Sequence, residues 1–257
     1  MPDGESNRND AVSQPSIDPF DPDAVGLQSP AIIGMAAEDL SEPTAGSGSE
    51  EEQRAKVEGL AVDLGHVLVD FDWTEVCCGF LLKNPALTRD DVGIAMAELS
   101  KLGWEHGRVK TAEFLAELNR LLKLTLSLEE FRAIWNNTFR ENVQMADLLQ
   151  ALRRQKLPIW AISNTNEEHW LHLQSNYNIA RHFDGRILSY EVGCSKPGSE
   201  ILKILCERSG FKPANTLFVD DLLPNIEASR MFGFQVFRYS SAIDELKSKL
   251  ATCGFVV

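Results

Sequence analysis

An α/β domain carrying an inserted helical segment is the fold that this 257-residue chain predicts, and three observations predict it. Five short apolar or β-rich runs recur after residue 57. Amphipathic helical stretches separate the last four, whereas about ninety residues with no strand signal separate the first two. Such alternation implies a parallel sheet with helices on both faces, because strands buried on both sides read as short continuous apolar runs.

The elements follow in chain order. Residues 1–56 carry twelve acidic against three basic side chains, a net charge of −9, and six of the eleven prolines. A segment so charged and so poor in large apolar residues buries too little surface to offset the entropy of ordering, so it reads as a disordered acidic tail. From Val57 a packed domain begins. The expected strands are 60–62, 158–162, 186–189, 216–219 and 235–239, each the length of a buried strand. Helical periodicity marks 167–175, 199–209, 225–232 and 242–250. Within the long gap, 88–101, 110–123 and 127–139 have apolar residues at helical spacing, with Thr88, Thr111 and Ser127 placed as caps and no strand expected between 74 and 156. The segment 145–155 returns the chain to the sheet. The expected division is therefore a tail at 1–56, a sheet domain formed by 57–73 and 143–257, and a helical insertion at 74–142.

Composition removes several function classes. The formal net charge is −13 and the sequence pI about 4.9, which opposes a nucleic-acid footprint because phosphate neutralisation needs clustered Lys and Arg. No run approaches the roughly 20 apolar residues of a membrane span. The first thirty residues lack a basic start followed by an apolar run, so the expected compartment is the cytoplasm. Five cysteines form neither a CxxC pair nor a Cys/His metal spacing and read as free thiols.

Chemistry is expected where the strands end, since ligands of open parallel sheets bind outside the carboxyl ends of the strands. The polar residues there are Asp63, Ser163, Lys196 a few residues past the third strand, and the pair Asp220–Asp221. Four such ends would converge on one sheet edge, and each residue type suits phosphoryl transfer. Asp63 would supply a nucleophilic carboxylate, splitting one displacement into two through an aspartyl-phosphate. Carboxylates crowded together call for a hard cation, and Mg²⁺ suits, so Asp221, with Asp220 beside it, would complete a metal site with Asp63. Ser163 and the backbone N–H of Asn164 would hold phosphoryl oxygens while Lys196 neutralises charge. A phosphoacceptor receiver domain also uses Asp-Asp and Lys, but there the acidic pair precedes the Lys and here it follows.

In order and at suitable spacing, the strings AVDLGHVLVDFD, AISNTN, CSKPGSEIL and FVDDLLPNIEASRMFG resemble the four signature motifs of the haloacid dehalogenase superfamily. Within it the chain is most similar to bacterial sugar phosphatases of the glucose-1-phosphate phosphatase type. The resemblance covers the chain from Val57 onward. It implies a Rossmann-like core with a helical cap of the C1 type inserted after the first motif, and Mg²⁺ held by Asp63, the backbone carbonyl of Gly65 and Asp221. Most phosphatases of the superfamily have a second Asp where Gly65 stands, and it protonates the leaving oxygen. Gly65 offers only its carbonyl, as in the resembling subgroup. His66, three residues from the nucleophile, reads either as a loop histidine making one hydrogen bond or as a proton carrier near neutral pH.

Substrate choice is expected from the insertion. The string LGWEHGRVKTAEFL puts Trp104 and Glu105 in a turn between helices, where an aromatic face and a carboxylate would suit a sugar; Trp104 reads equally as core between helices. Trp73 and Trp135 read as packing residues, and Asn225 as a residue that caps the helix after Asp221 and orients the metal site. The expected function is a Mg²⁺-dependent hydrolase of a small phosphorylated metabolite, with possible protein contacts made through the acidic tail. Two alternatives stand beside it: a metal-independent haloacid dehalogenase, and a phospholigand-binding regulatory protein that has lost turnover.

Overall fold

The computed structural model describes residues 56–257, so the expectations for the acidic tail, its order and its contacts, lie outside the described residues. Among the described residues seven strands follow in chain order: β1 (Gly59–Val62), β2 (Val69–Phe71), β3 (Phe139–Glu141), β4 (Ile159–Ser163), β5 (Gly185–Leu188), β6 (Thr216–Asp220) and β7 (Gln235–Arg238). Five of them form a parallel sheet in the order β5-β4-β1-β6-β7, with β1 at its centre. Strand periodicity sorts the side chains onto two faces. Leu60, Val62, Ile159 and Val219 enter one apolar cluster, while Ala61, Ile162, Ile187 and Phe218 enter another.

Ten α-helices stand beside them among the described residues: α1 (Trp73–Lys83), α2 (Arg89–Ser100), α3 (Thr111–Leu122), α4 (Leu128–Trp135), α5 (Val143–Arg154), α6 (Glu167–Tyr177), α7 (Ser189–Val192), α8 (Ser199–Ser209), α9 (Leu223–Phe232) and α10 (Ile243–Thr252). Leu148, Leu149 and Leu152 of α5, with Leu246 and Leu250 of α10, cover the first face. Ile201, Leu202 and Leu205 of α8, with Ile226 of α9, cover the second. Helices α1 to α4 gather around an apolar cluster of their own, in which Trp104, Phe114, Phe131 and Trp135 pack ring against ring. Among the described residues no helix is long and apolar enough to cross a membrane, and Cys78, Cys194, Cys206 and Cys253 are free thiols.

The long gap departs from expectation in four places. It does contain a strand: β3 pairs antiparallel with β2, Phe71 opposite Phe139, in a two-stranded ribbon. Two runs of three residues are too short to show alternation, so only tertiary pairing reveals them. The helix expected to reach residue 139 ends at Trp135, where the chain turns into that ribbon. Helix α1 was not expected, because its apolar residues crowd all round and blur the helical period; its start is marked by Asp72, whose carboxylate accepts from the Thr74 N–H at 2.7 Å. Thr88 and Ser127 are N-caps as expected, but Thr111 is the first residue inside α3, preceded by Lys110 at the cap position.

Candidate active site

The central strand delivers Asp63. Its backbone N–H donates to the Val219 carbonyl at 2.9 Å, which continues the parallel ladder one residue past β1 and fixes the carboxylate at the sheet edge. One carboxylate oxygen, Oδ1, accepts from the Leu64 N–H at 2.7 Å, and Oδ2 lies 2.9 Å from Lys196 Nζ. Asp220 is the last residue of β6 rather than the first beyond it, and it is fully buried. Carboxylate oxygens of Asp63, Asp220 and Asp221 all lie within 4.8 Å of one another.

Lys196 is the counter-charge. It is buried, and its ammonium bridges Asp63 and Asp220, the latter at 2.6 Å. Burial works against the ammonium, but the pull of Asp220 and then Asp63 exceeds it and holds the pKa above that of an ordinary lysine. For Asp63 the balance runs the other way. Burial, reinforced by the charges of Asp220 and Asp221 and opposed by Lys196, raises its pKa from 3.8 to about 7. Burial and Asp220 also raise Asp221, against the pull of His66. With Asp63 and Asp221 both holding their protons above the usual carboxylate range, the edge is short of positive charge, and a hard divalent cation is the group whose chemistry fits this cluster of carboxylates.

Asn225 corrects the capping half of its expectation. It lies inside α9, whose cap position is Leu222, and its side-chain N–H₂ donates to Asp220 Oδ1 at 2.9 Å, where the Leu222 N–H also arrives at 2.9 Å. It therefore aims Asp220 instead of capping the helix. With Lys196 on Oδ2, both oxygens of Asp220 are engaged by protein donors, as are both oxygens of Asp63, whereas Asp221 is the least buried of the three.

The loop after β4 faces the same edge. Ser163 is buried, and its hydroxyl makes only a 3.5 Å contact with the Asn164 carbonyl. The Asn164 side chain is occupied in clamping the Lys196 backbone: its Oδ1 accepts the Lys196 N–H and its N–H₂ donates to the Lys196 carbonyl, both at 2.8 Å. Ser189 clamps Thr165 in the same two-way fashion at 2.9 and 3.0 Å. Sequence reasoning missed these clamps; the signal was the continuation of AISNTN past Asn164. His66 sits on a left-handed turn (φ 50°), its ring 4.4 Å from that of Phe71 and its Nδ1 3.9 Å from Asp70.

The helical insertion meets this edge at two places. On one side, Arg132 of α4 forms a two-point ion pair with the buried Glu168 of α6 at 2.6 and 2.9 Å. On the other, the turn Trp104–His106 reaches the lysine loop, with His106 Nε2 3.1 Å from Ser195 Oγ. Gly107 follows with φ +66°, and a Cβ there would overlap the Tyr190 carbonyl oxygen, so both its backbone angle and its close approach require glycine. Trp104 stacks on Phe114 at 4.0 Å within the aromatic cluster. It also borders a cavity of about 150 Å³ shared with Gly107, Lys110, Glu167, Tyr190 and Glu191. Burial raises the Glu105 pKa.

Comparisons with known proteins place the chain beside haloacid dehalogenase-like proteins. A family model described as haloacid dehalogenase-like hydrolase matches residues 101–233, just over half of the chain. The D-ribitol-5-phosphate phosphatase of Bacteroides thetaiotaomicron is 28% identical over 197 residues, covering 73% of this chain and 94% of its own. An (S)-2-haloacid dehalogenase of Pseudomonas fluorescens is 34% identical over 110 residues, 40% of this chain and 48% of its own. Among solved structures, a HAD family enzyme of Bacteroides thetaiotaomicron in complex with magnesium and inorganic phosphate superposes with a TM-score of 0.63 at 26% identity, covering 72% of this chain and 96% of its own.

Proposed function

Because the chain belongs to the haloacid dehalogenase-like hydrolases, we propose that it is a Mg²⁺-dependent phosphatase of a small phosphorylated metabolite, a sugar or sugar-alcohol phosphate. The observation that carries this reading is the convergence of the Asp63, Asp220 and Asp221 carboxylates around Lys196. A metal-independent dehalogenase would bring a carboxylate substrate to an edge already short of positive charge. The names of a related sugar-alcohol phosphatase and of a magnesium–phosphate complex point the same way.

In this reading Asp63 attacks phosphorus through its carboxylate, a P–O bond to the enzyme forms, and the bond to the leaving oxygen breaks. Water then attacks the aspartyl-phosphate and returns Asp63 and inorganic phosphate. Ser163 Oγ and the Asn164 N–H hold phosphoryl oxygens, and Lys196 neutralises the phosphoryl group while keeping Asp63 aimed. Asp63, the Gly65 carbonyl and Asp221 would hold Mg²⁺, with Asp220 behind them; the cation supplies charge neutralisation to the phosphoryl oxygens. Helices α1 to α4 form the cap, and the edge of Trp104 and the Glu105 carboxylate face the non-phosphate part of the substrate.

Phosphate release should require Mg²⁺ and cease with chelator across a panel that includes glucose-1-phosphate and D-ribitol-5-phosphate. Chloride release from 2-chloropropionate in chelator, with no phosphate release in Mg²⁺, would overturn the assignment.

Leaving-group protonation has a test of its own. A Cβ at Gly65 would meet only Phe71 Cε1, at 3.7 Å, an ordinary contact, so packing does not demand glycine there. The missing carboxylate is therefore a chemical rather than a steric difference, and His66 on the same loop is the weaker proton carrier in its place. Gly65→Asp should raise kcat on alkyl phosphates by about 10-fold or more, at the low end of what general acid catalysis contributes, and change p-nitrophenyl phosphate little. Equal effects on both esters would refute the missing-acid account.

A further inference from the structure

Asn166 is fully buried at the N-cap of α6, where its Oδ1 accepts the His169 backbone N–H at 3.0 Å. That bond settles the orientation of the amide, so Asn166 Nδ2 is the atom 3.2 Å from His169 Nδ1. An amide nitrogen has only protons to give, and the imidazole Nδ1 must therefore accept. The proton of the neutral ring is then on Nε2. The same ring is gripped from the insertion's side: it lies 5.3 Å from the Trp135 ring at an interplanar angle of 17°, and Phe139 meets it edge-on at 4.9 Å. Burial, and after it the neighbouring His172, lowers the imidazole's pKa to about 3, so the ring stays neutral; a protonated ring would in addition present a second N–H to the Asn166 amide.

We propose that His169 is a positioning residue that ties the seating of α4 to the phosphate-holding loop, Trp135 fixing the ring and the ring fixing Asn166 at the end of Ser163–Asn166. The other residues of that loop are clamped to the sheet domain alone, Asn164 to the Lys196 backbone and Thr165 to Ser189. Asn166 is the member that reaches the insertion, through one side chain. The consequence is directional: when α4 is seated the loop is held in its phosphate-binding shape, and loss of the ring's bond to Asn166 loosens it. This inference rests on the phosphatase reading for its kinetic consequences, while the tautomer and phosphate binding stand without turnover.

Two variants divide the ring's two contacts. His169→Phe keeps the stack on Trp135 and removes the acceptor, whereas His169→Asn keeps an acceptor near the Nδ1 position and removes the stack. With the full chain in Mg²⁺, calorimetric binding of inorganic phosphate should weaken about 3- to 10-fold in His169→Phe, the loss of one buried hydrogen bond. It should stay within about 2-fold of wild type in His169→Asn, whose kcat falls while its phosphate affinity holds. A merely structural role would lower the melting temperature of both without separating affinity from kcat. Phosphate binding in His169→Phe equal to wild type, or equal weakening in both variants, would overturn the proposal. Nitrogen-15 spectra of the wild-type ring should show a protonated Nε2 and a bare Nδ1 at pH 7; a protonated Nδ1 would overturn it without reference to catalysis. Failure of wild type to release phosphate from any ester would count against the phosphatase reading alone.

Discussion

Asp63→Asn should abolish phosphate release, lowering kcat by at least about 10⁴-fold, since no other side chain at the sheet edge can replace the attacking carboxylate. The same substitution should make the metal-free protein more resistant to unfolding above neutral pH. Burial, aided by Asp220 and Asp221, raises the Asp63 pKa to about 7 against the pull of Lys196. An unfolded chain ionises this group near pH 4, so between about pH 4 and 7 the native state keeps a proton that the unfolded state has lost. Native stability therefore falls as pH rises through that window and stays low above it. Asparagine carries no such penalty. The buried imidazoles His169 and His182, with pKa values lowered to about 3 and 4 by burial, slope the other way in acid, but they are common to both proteins and cancel in the difference. The melting temperature of Asp63→Asn minus that of wild type should climb from pH 5 to pH 8 in chelator. Mg²⁺ should raise the melting temperature of wild type more at pH 8 than at pH 5.5, because protons compete for the carboxylates, and should do little for the variant. A flat difference across pH, or equal Mg²⁺ stabilisation of both, would show that Asp63 is neither the strained carboxylate nor a metal ligand.

How much of this was legible in the sequence follows from the physical range of each signal. Strands buried on both faces announce themselves as short apolar runs, and the residue at the end of each run can be read off directly. That is why Asp63, Ser163, Lys196 and the Asp220–Asp221 pair could be nominated in advance, and why the structure has them along one edge. Capping chemistry is equally local, and Thr88 and Ser127 show it. The β2–β3 ribbon was not legible: its two arms lie about seventy residues apart in the sequence, and three residues of alternation do not rise above chance. Asn225 was expected both to cap the helix and to orient the metal site, and the capping half is wrong. Asp220 outcompetes the helix end for its amide, and only the fold brings the two within 2.9 Å. Trp104 illustrates a real ambiguity, since a tryptophan in a turn has the same local signature as platform or as core, and what decides it is packing against Phe114 of the next helix and against the more distant Phe131 and Trp135.

Lys196→Met should be the second most damaging change, because it removes the charge that allows the acidic edge to exist. The ammonium is enclosed, 2.9 Å from Asp63 and 2.6 Å from Asp220. Methionine fills a similar volume, so the loss is electrostatic. Deleting one partner of a buried ion pair costs about 3–5 kcal/mol, as the remaining charge is left uncompensated. Asp220, fully buried, would keep only the Leu222 N–H and the Asn225 amide. Catalysis should fall with stability, by about 10³-fold in kcat, the cost of losing a preorganised donor at the phosphoryl group. The two losses separate in a double variant. Lys196→Met with Asp220→Asn should recover most of the melting temperature and none of the activity, since two neutral amides, the introduced one and that of Asn225, need no cation behind them whereas the phosphoryl group still does. The stability deficit of the single variant also has a pH signature. Asp63, already raised by burial, loses the Lys196 charge that opposes the rise and takes up a proton still more readily in the native state than in the unfolded state, so protonation relieves the defect. The deficit should be small near pH 5 and grow toward pH 8. A deficit independent of pH, or a double variant no more stable than the single, would mean that Lys196 contributes packing alone and that the acidic edge is balanced by something else.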